Sequence, residues 1–285
     1  MLIILFCLIF GLIIGSFLSV CIYRIPYGRS PLIDDESESE AEEPAKPEIT
    51  VSDPPRSFCV SCKTSLKWYH NVPLFSWLAL GGRCAYCKAR ISVRYPAVEV
   101  LTAILALLSY THFGLTLTAL VIFIFCAALL VISFIDYDYY IIPNIISLPG
   151  VIIGFALALA NQYFHLAHAP LVYGIADALF GVLAGAGFLL LISEGYLRLR
   201  KKEGLGMGDV KLLAMVGAFF GVPGAFYTIF VGSLVGSVLG VLLLLLGGKA
   251  LSHPLPFGPY LALGTFLYIF WGAELFSLAL NLSAG

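Results

Sequence analysis

Residues 115–144 read LTLTALVIFIFCAALLVISFIDYDYYIIPN, and this stretch decides the fold. Its first 21 residues, Leu115 to Ile135, carry no charge, and that length lets an α-helix cross roughly 30 Å of hydrocarbon. The run ends on Asp136 and Asp138, interleaved with Tyr137, Tyr139 and Tyr140, the aromatic and polar mixture of a membrane boundary. An acid at such a boundary costs desolvation energy. It therefore points to a functional site and calls for a partner.

A second boundary supplies that partner. Gly206-Met207-Gly208-Asp209-Val210-Lys211 sets Asp209 at the head of another apolar run. The composition of the whole chain agrees with membrane residence: 60% hydrophobic residues, 12% charged and a mean hydropathy of +0.97 exclude a soluble domain whose surface must be wet. Apolar runs near 2–22, 97–112, 115–135, 140–161, 171–193, 208–221, 224–247 and 256–279 predict an all-α polytopic protein of about eight transmembrane helices. Pro223-Gly224 divides the sixth run from the seventh, where a tight external turn is expected.

Lysine and arginine set the orientation, because they accumulate on the cytoplasmic side. Ten of the sixteen fall in 24–94, five in 198–211, and Lys249 stands alone. With eight spans and an external N-terminus, all three segments become cytoplasmic. Asp136, closing the third span, and Asp209, opening the sixth, then share the cytoplasmic boundary. The first span lacks a basic leading region and a small-residue cleavage site and runs directly into Arg24, so it is expected to remain as an anchor.

The chain accordingly divides into a first helix (1–23), a cytoplasmic segment (24–96) and a membrane-embedded domain (97–285). Within the cytoplasmic segment, residues 34–48 are acidic and poor in apolar side chains, as expected of a solvated linker. Beyond it lie Cys59-Val60-Ser61-Cys62 and Cys84-Ala85-Tyr86-Cys87. Four thiolates in two such pairs suit tetrahedral zinc in a small zinc-ribbon-like domain, and the metal would fold a segment too small for its own core. Redox chemistry is the rival reading, but it needs only one pair and an environment less reducing than the cytoplasm. Cys7, Cys21 and Cys126 sit in apolar runs as packing residues.

Two carboxylates held close together share a proton, and such a pair can activate water toward a peptide bond while protonating the leaving amine. Asp136 and Asp209 are the candidate catalytic pair. Gly204, Gly206 and Gly208 are expected to permit unusual backbone conformations and close approach of a substrate strand, and Lys211 adds a cation. No phosphate-loop pattern or His-Glu-x-x-His zinc motif competes. Asp138 is the local rival to Asp136, but residues two apart on a helix face different ways. Asp177 and Glu194 read as packing or capping residues, and His165 and His168 as solvated residues of a connection.

These motifs carry a resemblance. Gly206-Met207-Gly208-Asp209 resembles the G-x-G-D motif of membrane aspartic proteases, and Asp136 with Ile142-Pro143-Asn144 resembles the partner motif of type IV prepilin peptidases. Gly15-Ser16-Phe17 through Pro26, Tyr69 through Trp77, and Tyr95-Pro96-Ala97-Val98-Glu99 resemble the same family, with Ser19 where it commonly has asparagine. The resemblance implies cleavage of the basic leader of prepilins or type II secretion pseudopilins after a glycine, at the cytoplasmic face of a bacterial inner membrane. It further implies N-methylation of the new terminus with S-adenosylmethionine, a function to be sought among the four cysteines and Asn71–Trp77. Partners are then prepilins and lipid, with no nucleic acid. Two other classes make different predictions: a proton- or cation-coupled transporter would carry acids near the bilayer midplane and internal repeats, and a zinc-bearing scaffold would not need its aspartates.

Overall fold

The computed structural model describes residues 1–26, 51, 56–201, 206–247 and 256–283. The acidic stretch 34–48, Gly204 and Lys249 lie outside them. Among the described residues the long elements are all helical: α1 (Leu2–Arg24), α2 (Phe75–Ala79), α3 (Arg94–Phe113), α4 (Leu117–Tyr139), α5 (Asn144–Phe164), α6 (Ile175–Arg200), α7 (Met207–Gly247) and α8 (Gly258–Ser283), with a short 3-10 turn at Trp68–Asn71. Six of these, the last being Met207–Leu242 within α7, are long and apolar enough to cross a membrane. This is a multi-pass membrane protein.

α7 is two helices. Gly221 inside it has φ 66 and ψ −164, a conformation that only glycine adopts readily. The carbonyl oxygen of Leu213 and the Cβ of Ala225 each lie 3.0 Å from the point where a Cβ on Gly185 would stand. Twelve residues of unbroken helix would separate them by about 18 Å, so the chain folds back at Gly221. The break thus comes two residues before the expected Pro223-Gly224 turn. Glycine makes the turn, and Pro223 falls in the first turn of the second limb, where a missing N–H costs nothing. Counting both limbs of α7 together with α8 gives the eight long segments read from hydropathy.

Two compact units make up the chain: Met1–Leu115 with Ala119–Val131, and Thr116–Thr118 with Ile132–Gly285. In the first, α1 buries Cys7, Gly11, Gly15, Leu18 and Ile22, a stripe of helical period. It leaves Leu2, Phe6, Ile9, Ile13 and Phe17 exposed, as befits side chains solvated by lipid. A Cβ on Gly11 would stand 2.5 Å from Ala103 Cα and one on Gly15 2.6 Å from Glu99 Cα, so small residues every fourth position let α1 and α3 meet backbone to backbone.

In the second unit α6 packs against α7 and α7 against α8. Buried polar groups are paired there: Thr228 and Thr265 hydroxyls lie 3.1 Å apart, and Asn161 donates to the Val172 carbonyl at 2.9 Å while its Oδ1 accepts from the Ala167 N–H at 2.8 Å. Such pairing offsets the cost of burying polar atoms away from water. It also fixes the connection between α5 and α6.

Candidate active site and metal centre

The end of α4, the start of α7 and the start of α8 meet in the second unit. Asp136 is buried, at 6% exposure, whereas Asp138 two residues on is exposed, as a helical turn requires. The N–H of Gly258, first residue of α8, donates to Asp136 Oδ2 at 2.9 Å. A carboxylate at a helix N-terminus meets the positive end of the helix dipole and an amide without an intrahelical partner. Asp209 is half-buried in the first turn of α7, and its carboxyl group lies within electrostatic reach of Asp136.

The loop leaving α4 completes the arrangement. Tyr140 takes a positive φ of 59° and its N–H closes on the Asp136 carbonyl at 2.8 Å. Pro143 then caps α5, with its carbonyl accepting from Ile146 and Ser147. Ile142, buried between them, packs on Gly208: a Cβ on that glycine would stand 2.9 Å from Ile142 Cβ. Neither Gly206 nor Gly208 has a positive φ, contrary to the expectation that these glycines supply unusual backbone geometry. Gly208 instead provides room. The absence of its side chain lets the loop after Asp136 and the helix carrying Asp209 touch. Lys211 lies half-buried one half-turn beyond Asp209.

The remaining acids are placed elsewhere. Glu194 is exposed and paired with Arg198 one turn later at 2.8 Å. Asp177 lies exposed in the first turn of α6. His165 ends α5 in a left-handed conformation, and the His168 N–H donates to Thr118 Oγ1 at 2.9 Å.

In the first unit, Cys59, Cys62, Cys84 and Cys87 bring their sulfur atoms within 4.8 Å of one another. Two equivalent knuckles do this. Lys63 and Lys88, each following a Cys pair, take φ of 57° and 59°, and their N–H groups return to the carbonyls of Cys59 and Cys84 at 2.8 and 3.1 Å. Short bridges Phe58 to Ser65 and Arg83 to Arg90 close the two loops. The Thr64 hydroxyl and N–H hold the Cys62 thiol down to about 6. At Cys87 the Ala89 N–H favours the thiolate, but burial and the three neighbouring sulfurs outweigh it and raise the thiol to about 11. Four thiolates this close repel one another unless a cation sits among them, so the donor set fits a tetrahedral divalent metal such as zinc.

Comparison with known proteins gives the family of the chain. Residues 9–113 match the bacterial peptidase A24 N-terminal domain, and residues 123–241 match the type IV leader peptidase family. The chain is 37% identical over 274 residues to the prepilin leader peptidase/N-methyltransferase of Pseudomonas aeruginosa, covering 94% of this chain and 90% of that one. It is 37% identical over 276 residues to the protein of that name from Aeromonas salmonicida, with 93% and 89% covered. A third such protein, from Xanthomonas campestris, is 36% identical over 270 residues, with 93% and 90% covered. The chain belongs to the type IV leader peptidase family. No solved structure matches it.

Within this member of the family, Gly258 is the site residue that sequence reading did not find. The only signal was Phe257-Gly258-Pro259 at the head of the last apolar run, where proline in a first helical turn marks a start. A Cβ at Gly258 would stand 2.7 Å from Asp136 Oδ2, so any side chain displaces the carboxylate or the helix. Gly258→Ala and Gly208→Ala are each expected to slow peptide cleavage by about tenfold to a hundredfold, since displacement near 1 Å at a reacting group costs that much. Gly206→Ala, whose Cβ would meet Asp209 Oδ2 at an ordinary 3.6 Å, should fall less than either. Initial rates on a leader-bearing peptide in detergent check this order.

Proposed function

We propose that the protein is a leader peptidase and N-methyltransferase of the bacterial inner membrane, removing the basic leader of type IV prepilins or type II secretion pseudopilins after a glycine. Asp136 and Asp209 form the catalytic pair at the cytoplasmic boundary. The observation that carries this reading is that two carboxyl groups from distant segments lie within electrostatic reach of each other, one held by the Gly258 N–H and the other on the first turn of α7. The names of the relatives supply the substrate class and the second activity.

The chemistry follows from the pairing. Two adjacent carboxyls hold one proton between them, because both cannot ionise cheaply. The ionised member takes a proton from water as the water oxygen attacks the scissile carbonyl, and the protonated member hydrogen-bonds the carbonyl oxygen. The C–N bond then breaks as the leaving amine accepts a proton. Prepilins suit this place: a basic leader stays in the cytoplasm while the following apolar helix lies in lipid, so the bond to be cut sits at the boundary where water is available. The acidic stretch 34–48 helps attract the leader.

Cys59, Cys62, Cys84 and Cys87 hold a structural zinc, which ties the knuckles together and takes no part in hydrolysis. S-Adenosylmethionine, when bound, supplies an electrophilic methyl group. The test is incubation of the purified protein with a prepilin peptide and S-adenosylmethionine, followed by mass spectrometry. Loss of the leader mass and gain of one methyl are scored separately; an intact peptide overturns the peptidase reading, and a trimmed but unmethylated one overturns the second activity.

A further inference from the structure

We propose that the open cavity of about 340 Å³ bordered by α1, the start of α3 and the cysteine knuckles is the S-adenosylmethionine site. This rests on the methyltransferase reading and assigns that activity a place. The volume falls in the range of cavities that take small organic ligands. Its walls carry the chemistry that such a ligand requires: a carboxylate (Glu99), aromatic faces (Tyr23, Trp77, Tyr95) and an imidazole (His70).

Two observations distinguish it from a packing defect. Nδ1 of His70 is, among the described residues, the one buried side-chain nitrogen or oxygen without a hydrogen-bond partner. Burying such an atom without a partner is unfavourable, and a purine or ribose edge supplies one. Its ring cannot easily turn away, being packed edge-on against Tyr69 and Tyr86 at 4.5 and 5.5 Å between centroids.

The second observation is Glu99. It is only 7% exposed, and its Oε2 accepts the N–H of Leu74 at 2.7 Å. Leu74 is held at φ 60 and ψ −50, a region that a leucine does not adopt freely. Strained backbone retained by a buried carboxylate is a mark of functional sites. Here both residues line the cavity, and Trp77, on the helix that Leu74 precedes, is fixed by donating Nε1–H to the Ile91 carbonyl at 3.3 Å. Glu99 then faces the ligand's positive charge, the sulfonium or the ammonium, and the aromatic rings receive the cation and the adenine. In the transfer, the neutral amine of the trimmed pilin bonds to the methyl carbon as the S–CH3 bond breaks. The electron pair stays on sulfur as S-adenosylhomocysteine, and the methylated ammonium releases one proton.

The experiment uses full-length, metal-replete protein in detergent. Radiolabelled S-adenosylmethionine is photocrosslinked to wild type and the labelled peptide is sequenced, while binding is titrated in wild type, Glu99→Gln and His70→Phe. Gln keeps an acceptor for Leu74, and Phe keeps the ring stack. Label on Trp77 or Tyr95, with affinity about tenfold or more weaker in both variants, is the expected result. Label confined to residues 117–283, or both variants binding within about twofold of wild type, overturns the assignment. The crosslink map needs wild type alone, so it decides even if a variant is lost to misfolding. Methyl transfer by wild type, followed in parallel, separates the two readings. Transfer with label elsewhere sinks the cavity only, whereas neither transfer nor binding sinks both.

Discussion

Asp136→Ala and Asp209→Ala should each lower leader cleavage by about three orders of magnitude or more, with the protein still inserted in the membrane and eluting as the wild type does. The size of the effect follows from the shared proton. A single remaining carboxyl can serve as base or as acid but not as both in one turnover, so either loss disables the pair. Asp138→Ala is the informative contrast, because that side chain is exposed where Asp136 is buried. Its rate should remain within a few-fold of wild type. Cleavage of a prepilin peptide, followed by mass spectrometry, measures all three. A transporter or a passive scaffold gives no reason for either catalytic-pair variant to block proteolysis.

Removal of the metal should be the next largest effect. Structural zinc contributes on the order of 10 kcal/mol to the folding of small cysteine-ligated segments. Among the described residues, the knuckles at Cys59–Cys62 and Cys84–Cys87 are otherwise held by two short bridges, a few turns and the Trp77 to Ile91 hydrogen bond. Cys59→Ser or Cys84→Ser, or a strong chelator, should therefore strip the metal and expose 56–94 to limited proteolysis. Because Cys59 and Cys84 also line the cavity, S-adenosylmethionine binding should disappear with the metal. Metal analysis, protease mapping and ligand titration on one preparation test the chain of effects. A metal-free protein with an unchanged protease pattern would show that the cysteines do not organise the segment.

Much of this architecture is legible in the sequence because the bilayer imposes a length and a polarity on every span. Apolar runs and the paired cysteines each answer to one strong local constraint. What escaped reading depends on tertiary contact. Gly221, rather than Pro223-Gly224, makes the turn in α7, since the residue that best tolerates a positive φ and the residue that best starts a helix are different positions. The role of Gly208 emerges only when Ile142 is seen against it, and that of Gly258 only when α8 begins at the Asp136 carboxylate. His70 stands in the sequence only as part of the Tyr69–Trp77 resemblance. Its missing partner is a property of the folded cavity, and no pattern in the chain announces it.

The most direct test of the paired acids is a double-substitution cycle with Asp136→Asn, Asp209→Asn and the two together, read as leader cleavage over long incubations with excess enzyme. Groups that act as one unit lose their contribution at the first substitution, so the double variant should cleave no more slowly than the slower single one. Losses that multiply would mean that the two aspartates act independently, and the account of a shared proton would be wrong.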